Sequence, residues 1–198
     1  MILSFIGFMG CGKSSVGRKL SQLLCCPFID LDEAVEQAAG KSISEIFEED
    51  GEAAFRSLEL ESLKGILCKE SARQWTPLTP SHFVGPSPYA VVLALGGGTV
   101  MTPECAEMVR ENTYCIYLRA SVNTLLERLS SNTSNRPLLT RDPHAALQGA
   151  QRRGNPSLHS RIDELMSQRS STYEKTANII IDTDGKSIEQ ICSEIVCP

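Results

Sequence analysis

The residues with the plainest chemical purpose are Lys13 and Ser14, which close the run Gly7-Phe8-Met9-Gly10-Cys11-Gly12-Lys13-Ser14. A G-x-x-x-x-G-K-S run turns the backbone tightly, so that successive N–H groups face inward and cradle a chain of phosphates. Gly10, Cys11, Gly12, Lys13, Ser14 and Ser15 are the candidate nucleotide-binding residues. Lys13 reaches the β- and γ-phosphates, and the Ser14 hydroxyl is a Mg²⁺ ligand by type and position. The run follows the apolar stretch Ile2–Ile6 and opens a helix-compatible segment, whose N-terminus adds partial positive charge. The motif implies a nucleoside triphosphate ligand. Cys11, at that helix N-terminus, is either a thiol with a lowered pKa or a small side chain tolerated at a variable position.

Other candidates are individually ambiguous. Asp30 and Asp32 end the second apolar run, where a parallel sheet presents ligands beyond its strand ends. One acid would then serve a metal and the other a second substrate. They read equally well as a helix N-cap and a first-turn acid favoured by the helix dipole. Arg56 and Glu59 stand three apart in a helical stretch, either as a braced guanidinium preorganised for a carboxylate or as a solvated ion pair. Gly96-Gly97-Gly98 directly follows an apolar run, which admits close approach of backbone to ligand. Arg128, Arg136 in Arg136-Pro137-Leu138-Leu139, and Arg169 in Arg169-Ser170-Ser171-Thr172-Tyr173 are either site residues or exposed charges.

The elements that must position these groups follow from patterning. Short apolar runs alternate with amphipathic stretches, the signature of βα units on a parallel sheet. Strands are expected at about 2–6, 27–30, 90–95, 114–118 and 178–181. Ser42–Glu45 and Ser187–Gln190 have capping-box sequences, and Thr102-Pro103 reads as an N-cap followed by an N1 proline. Leu60, Leu63 and Leu67 share one face of a helix over 52–68. Two stretches lack periodicity: 75–89, with four prolines, is expected to be a surface loop, and polar 132–160 a lid.

The 198 residues fit one domain with one continuous core. A 41% hydrophobic and 22% charged composition is that of a globular protein, and the net charge of −5 argues against a nucleic-acid partner. No apolar run approaches the ~20 residues that span a bilayer, and the N-terminus lacks a basic leader, so neither a membrane nor a secretory route is expected. The eight cysteines contain no C-x-x-C pair. They read as free thiols of a reducing cytoplasm.

Taken in order, G-x-x-G-x-G-K-S, D-L-D, F-R-x-x-E, G-G-G, R-P-L-L and R-x-x-x-Y resemble shikimate kinase, from residue 2 to the last strand. The resemblance implies an α/β, three-layer P-loop NTPase fold of the nucleoside monophosphate kinase type. Its five-stranded parallel sheet would run 2-3-1-4-5 beneath a mobile lid. It implies ATP and Mg²⁺ as cofactors and transfer of the γ-phosphate to the 3-hydroxyl of shikimate; separately, a monomer is expected. By the same resemblance, Asp30 holds the metal through water, and Asp32 contacts the ring hydroxyls and is the base. Arg56 and Arg169 clamp the substrate carboxylate, Glu59 braces Arg56, and Gly96, Gly97 and Gly98 form the substrate-side turn. Phe47 and Phe55 line the pocket, Arg136 is the lid arginine, Arg128 stacks on adenine, and the turn at 184–187 is the base loop. The stretches 75–89 and 148–160 are longer than the family's pattern. The second brings Arg152, Arg153, His159 and Arg161, which read as solvated charges.

Overall fold

The computed structural model describes residues 2–68, 91–130 and 158–196. Within them the chain runs β1 (Ile2–Ile6), α1 (Lys13–Leu24), β2 (Phe28–Asp30), α2 (Leu31–Ala39), α3 (Ile43–Glu49) and α4 (Gly51–Leu67). It continues as β3 (Val91–Ala94), a 3₁₀ turn (Thr99–Met101), α5 (Pro103–Asn112), β4 (Thr113–Arg119), α6 (Val122–Ser130), α7 (Leu158–Thr176), β5 (Ile179–Asp182) and α8 (Ile188–Val196). The expected surface loop at 75–89 and nearly all of the expected lid lie outside the described residues. Residues 158–160 instead form the first turn of α7.

The sheet is parallel and ordered β2-β3-β1-β4-β5, as the resemblance implied. Its central strands are apolar on both faces because helices cover both. Alternation sends Leu3 and Phe5 of β1, with Ile116 and Leu118 of β4, into one layer against Val16 and Leu20 of α1, Leu125 of α6 and Ile191 of α8. Ile2, Ile6, Leu93, Cys115 and Tyr117 face the other layer, under Val35, Ile46, Phe55, Leu63, Val109 and Tyr173. The one polar side chain inside β1, Ser4, is buried but hydrogen-bonded to Thr113 Oγ1 at 2.7 Å.

Local chemistry sets the helix ends. Ser42 and Glu45 form the reciprocal capping box, and Ser187 and Gln190 exchange the equivalent pair of bonds. Thr102 occupies the N-cap of α5 with Pro103 at N1, as expected, and its hydroxyl makes no cap bond. On α4 the buried stripe is Phe55, Glu59, Leu63 and Leu67; Leu60 only flanks it. That stripe carries one carboxylate, Glu59, into the interior. Because β3 and β4 leave β1 on opposite sides, the loop after β1 sits where strand order reverses, the usual place for a ligand crevice.

Candidate active site

A cavity of ≈ 720 Å³ opens at the carboxyl ends of β1, β2 and β3. Its nucleotide side is the loop between β1 and α1. Gly7, Gly10 and Gly12 take φ of 138°, 82° and 102°, conformations that a side chain strains. Lys13 begins α1 and is 9% exposed. Its Nζ donates to the carbonyls of Gly7 at 2.9 Å and Phe8 at 3.1 Å, an ammonium folded over the loop it belongs to. The first turn of α1 holds no acidic residue to oppose an arriving anion. Gly10, Gly12, Lys13, Ser14 and Ser15 all face the cavity. Cys11 does not: its side chain is buried beside Gly7, and its N–H donates to the Phe8 carbonyl at 3.2 Å.

Asp30 bears out the cap reading of the acidic pair and also meets Ser14. Its Oδ1 caps α2 by accepting the Asp32 N–H at 3.1 Å, while Oδ2 accepts the Ser14 hydroxyl at 2.6 Å. A hydroxyl and a carboxylate that meet beside the phosphate loop are the hard oxygen donors Mg²⁺ takes, and Mg²⁺ needs only one or two protein groups beside phosphates. The described residues therefore fit that ion.

Asp32, one helical step on, points to the other side. A Cβ on Gly96 would lie 2.7 Å from Asp32 Oδ1 and 3.0 Å from Glu59 Oε1, so only glycine lets both carboxylates approach the turn. The Asp32 carboxyl is pushed up to about 6, by burial first and by Asp30 next, with Lys13 pulling it down and Glu59 and Glu36 adding smaller upward pushes. A carboxylate tuned into this range is suited to take a proton near neutral pH.

Glu59 is 1% exposed, so its bond to Arg56 is no solvated surface pair. Arg56 Nη1 donates to Glu59 Oε2 at 2.8 Å, and Thr99, itself fully buried, donates to Oε1 at 2.6 Å. The guanidinium lies against Gly98, where an added Cβ would meet Nη2 at 2.7 Å. Arg169 Nη1 donates to the Gly97 carbonyl at 3.3 Å, and Tyr173, one turn later on α7, donates to the same carbonyl, though neither is a wall of the cavity. Two arginines thus meet one glycine turn. Phe47 and Phe55, with ring centroids 4.8 Å apart, form an apolar wall of the cavity.

Arg128 of α6 reaches across to the loop, donating to the carbonyls of Gly10 at 3.4 Å and Cys11 at 3.2 Å, and to that of Thr183 at 3.5 Å. Asp184, beside Thr183, accepts the Ser121 N–H at 3.0 Å, which ties the expected base loop to the start of α6. Arg136, like Arg152 and Arg153, lies outside the described residues. His159 is exposed and Arg161 half-buried at the start of α7.

Thr99 and Glu36 escaped the sequence reading, and Tyr173 entered it only as the end of the R-x-x-x-Y motif, with no role of its own. Thr99 follows three glycines and reads as turn, with no spacing to betray its hold on Glu59. Tyr173 and Glu36 did leave a signal. Tyr173 is four residues beyond Arg169, and Glu36, a cavity wall, is four beyond Asp32 on α2.

The sequence model of the family described as shikimate kinase matches residues 9–72 and 86–197. The match breaks at 73–85, overlapping the 75–89 stretch read as longer than the family's pattern, and runs unbroken through 148–160. A shikimate kinase of Dictyoglomus turgidum is 36% identical, with 98% of this chain and 94% of that protein aligned. One of Thermodesulfovibrio yellowstonii is 38% identical over 96% of this chain and 90% of its own. Among solved structures, a shikimate kinase from Acinetobacter baumannii in complex with shikimate superposes with a TM-score of 0.77 at 27% identity, covering 98% of this chain and 90% of that one. The Aquifex aeolicus enzyme gives 0.70 at 30% identity, covering 99% and 94%.

Proposed function

Since the chain belongs to the shikimate kinase family, whose members are ATP-dependent phosphotransferases acting on an alcohol group of shikimate, we propose how its own residues divide that reaction. The enzyme moves the γ-phosphate of ATP to the 3-hydroxyl of shikimate, giving shikimate 3-phosphate and ADP. The carrying observation is that Asp32, Arg56 and the glycine turn share one cavity with Lys13 and Ser14. Donor and acceptor can therefore meet without leaving it.

Asp32 takes the hydroxyl proton, an assignment supported by its raised pKa and its place beside Gly96. Arg56 and Arg169 hold the substrate carboxylate at the turn, because a planar fork matches a planar carboxylate. Glu59 fixes the plane of Arg56. Phe47 and Phe55 cover the ring. On the donor side Lys13 leaves the Gly7 and Phe8 carbonyls for the phosphates. Gly10, Cys11, Gly12, Ser14 and Ser15 present the loop, Arg128 lies by the base, and Arg136 adds charge over the γ-phosphate. Ser14 and Asp30 hold Mg²⁺, which when bound neutralises charge on the transferring phosphate.

One chain supplies both halves of the cavity, which supports a monomer as the working unit, with residues 1–198 as a single domain. The described cysteines are free thiols, which supports a cytoplasmic setting. No helix among the described residues is long and apolar enough to cross a membrane. A coupled ADP-release assay with shikimate, gluconate and nucleoside monophosphates tests the reading. Turnover with shikimate alone is expected, and equal turnover with gluconate would overturn it.

A further inference from the structure

Arg56 has more anionic company than a brace requires. Glu59 alone fixes the guanidinium: it is buried, held by Thr99, and bonded to Nη1, while Gly98 packs against the fork. Yet Glu52, four residues earlier on α4, accepts from Nη2 at 3.2 Å and is half exposed. Burial works against the Arg56 charge, but Glu59 and then Glu52 outweigh it and hold its pKa above the usual value. Both terminal nitrogens are thus engaged by glutamates before any substrate arrives. Glu52 is not a wall of the cavity, so it adds no shape there. A half-exposed i,i+4 pair also adds little orientation to a guanidinium already fixed from the buried side. What it adds is a second negative charge at the point where an incoming carboxylate must dock.

We propose that Glu52 is a specificity-determining residue, an internal carboxylate that shares Nη2 of Arg56 and tempers the clamp's affinity for anionic acceptors. The inference rests on Arg56 being the carboxylate clamp. A substrate that makes the remaining contacts of the cavity displaces the Glu52 share. A small anion that touches only the guanidinium gains little, because it exchanges one carboxylate for another. The acid therefore binds against a built-in competitor, and a neutral ligand of the same shape does not feel it.

Calorimetric titration of the full chain with shikimate and with its methyl ester, whose carboxylate charge is gone, separates these effects. Glu52→Gln is expected to lower the Kd for shikimate about two- to fivefold, the range an exposed charge contributes. It should leave the Kd for the ester unchanged, and the difference should shrink at high salt. Unchanged or weaker shikimate binding would overturn the proposal, as would equal tightening of both ligands. Arg56→Lys is the companion variant. If it weakens shikimate binding but not ester binding, the clamp stands whatever Glu52 does. If it alters neither, the clamp reading itself has failed.

Discussion

The two halves of the cavity are built in opposite ways. The phosphate-binding part of the nucleotide half is one continuous stretch, residues 7–15, in which backbone does most of the work: three positive-φ glycines, an open helix N-terminus, and a lysine resting on carbonyls. The acceptor half is assembled from α2, α4, the turn after β3, and α7, and side chains do its work. Asp32, Glu59, Arg56, Thr99, Arg169 and Tyr173 converge on three glycines. Phosphate recognition can rely on backbone N–H groups because every phosphate oxygen is alike. Selecting one hydroxyl and one carboxylate requires donors and acceptors in distinct places, which only converging side chains provide. The acceptor half should therefore fail more sharply when single atoms are changed.

The largest effect is expected at Asp32. Asp32→Asn should lower kcat by about 10²–10⁴, the usual contribution of a positioned base, while the Kd for ATP stays near wild type. Loss of nucleotide binding along with kcat would mean that the two halves are not separable. The same carboxylate opposes folding at neutral pH. Its pKa is about 6 when folded against 3.8 as the ordinary value. The folded state binds the proton more tightly, so its stabilising share is complete below the ordinary value and is lost as pH rises through the folded one. The cost of keeping Asp32 ionised above pH 7 is about 2–3 kcal/mol by linkage. Asp32→Asn should therefore raise the melting temperature at pH 8 and change it little near pH 3.5. Equal stabilisation at both pH values would place its origin elsewhere.

A smaller loss is expected at Thr99. Its hydroxyl is a donor to a carboxylate that is 1% exposed. Thr99→Val keeps the shape and removes the donor, which should cost about 1–3 kcal/mol of stability by denaturant unfolding. It should also raise the KM for shikimate several-fold more than the KM for ATP, because Glu59 loses the bond that aims it at Arg56. Thr99→Ser, which keeps the hydroxyl, should restore the ratio of the two KM values. If serine fails to rescue it, the methyl packing rather than the hydrogen bond was what mattered.

The contrast between the halves also explains what the sequence disclosed. The five strands were legible because apolar runs covered on both faces repeat with glycine and capping punctuation between them, whereas their order in the sheet came from the family resemblance. The nucleotide loop was legible because its chemistry is local. In the acceptor half, Asp32, Arg56 and Gly96–Gly98 were each ambiguous alone. Folding bore out Asp30 as a cap and added a contact to the Ser14 hydroxyl that no spacing argument gives. It buried Glu59, where propensity alone gave a surface pair. Thr99 had no signal at all, since its importance lies in a contact forty positions away in the chain.

The smallest effect is expected at Cys11, and it tests the backbone side of the contrast. Its side chain is buried beside Gly7 and its Sγ stands 4.0 Å from Lys13 Nζ, while the shorter contacts of that ammonium are to the Gly7 and Phe8 carbonyls. Cys11→Ala removes a sulfur from a packed site, which should cost about 1 kcal/mol of stability. It leaves every backbone dipole of the loop in place, so the KM for ATP should shift by less than about threefold. A tenfold rise would mean that the loop depends on a side chain after all. The division between a backbone-built half and a side-chain-built half would then have to be redrawn around the thiol and Lys13.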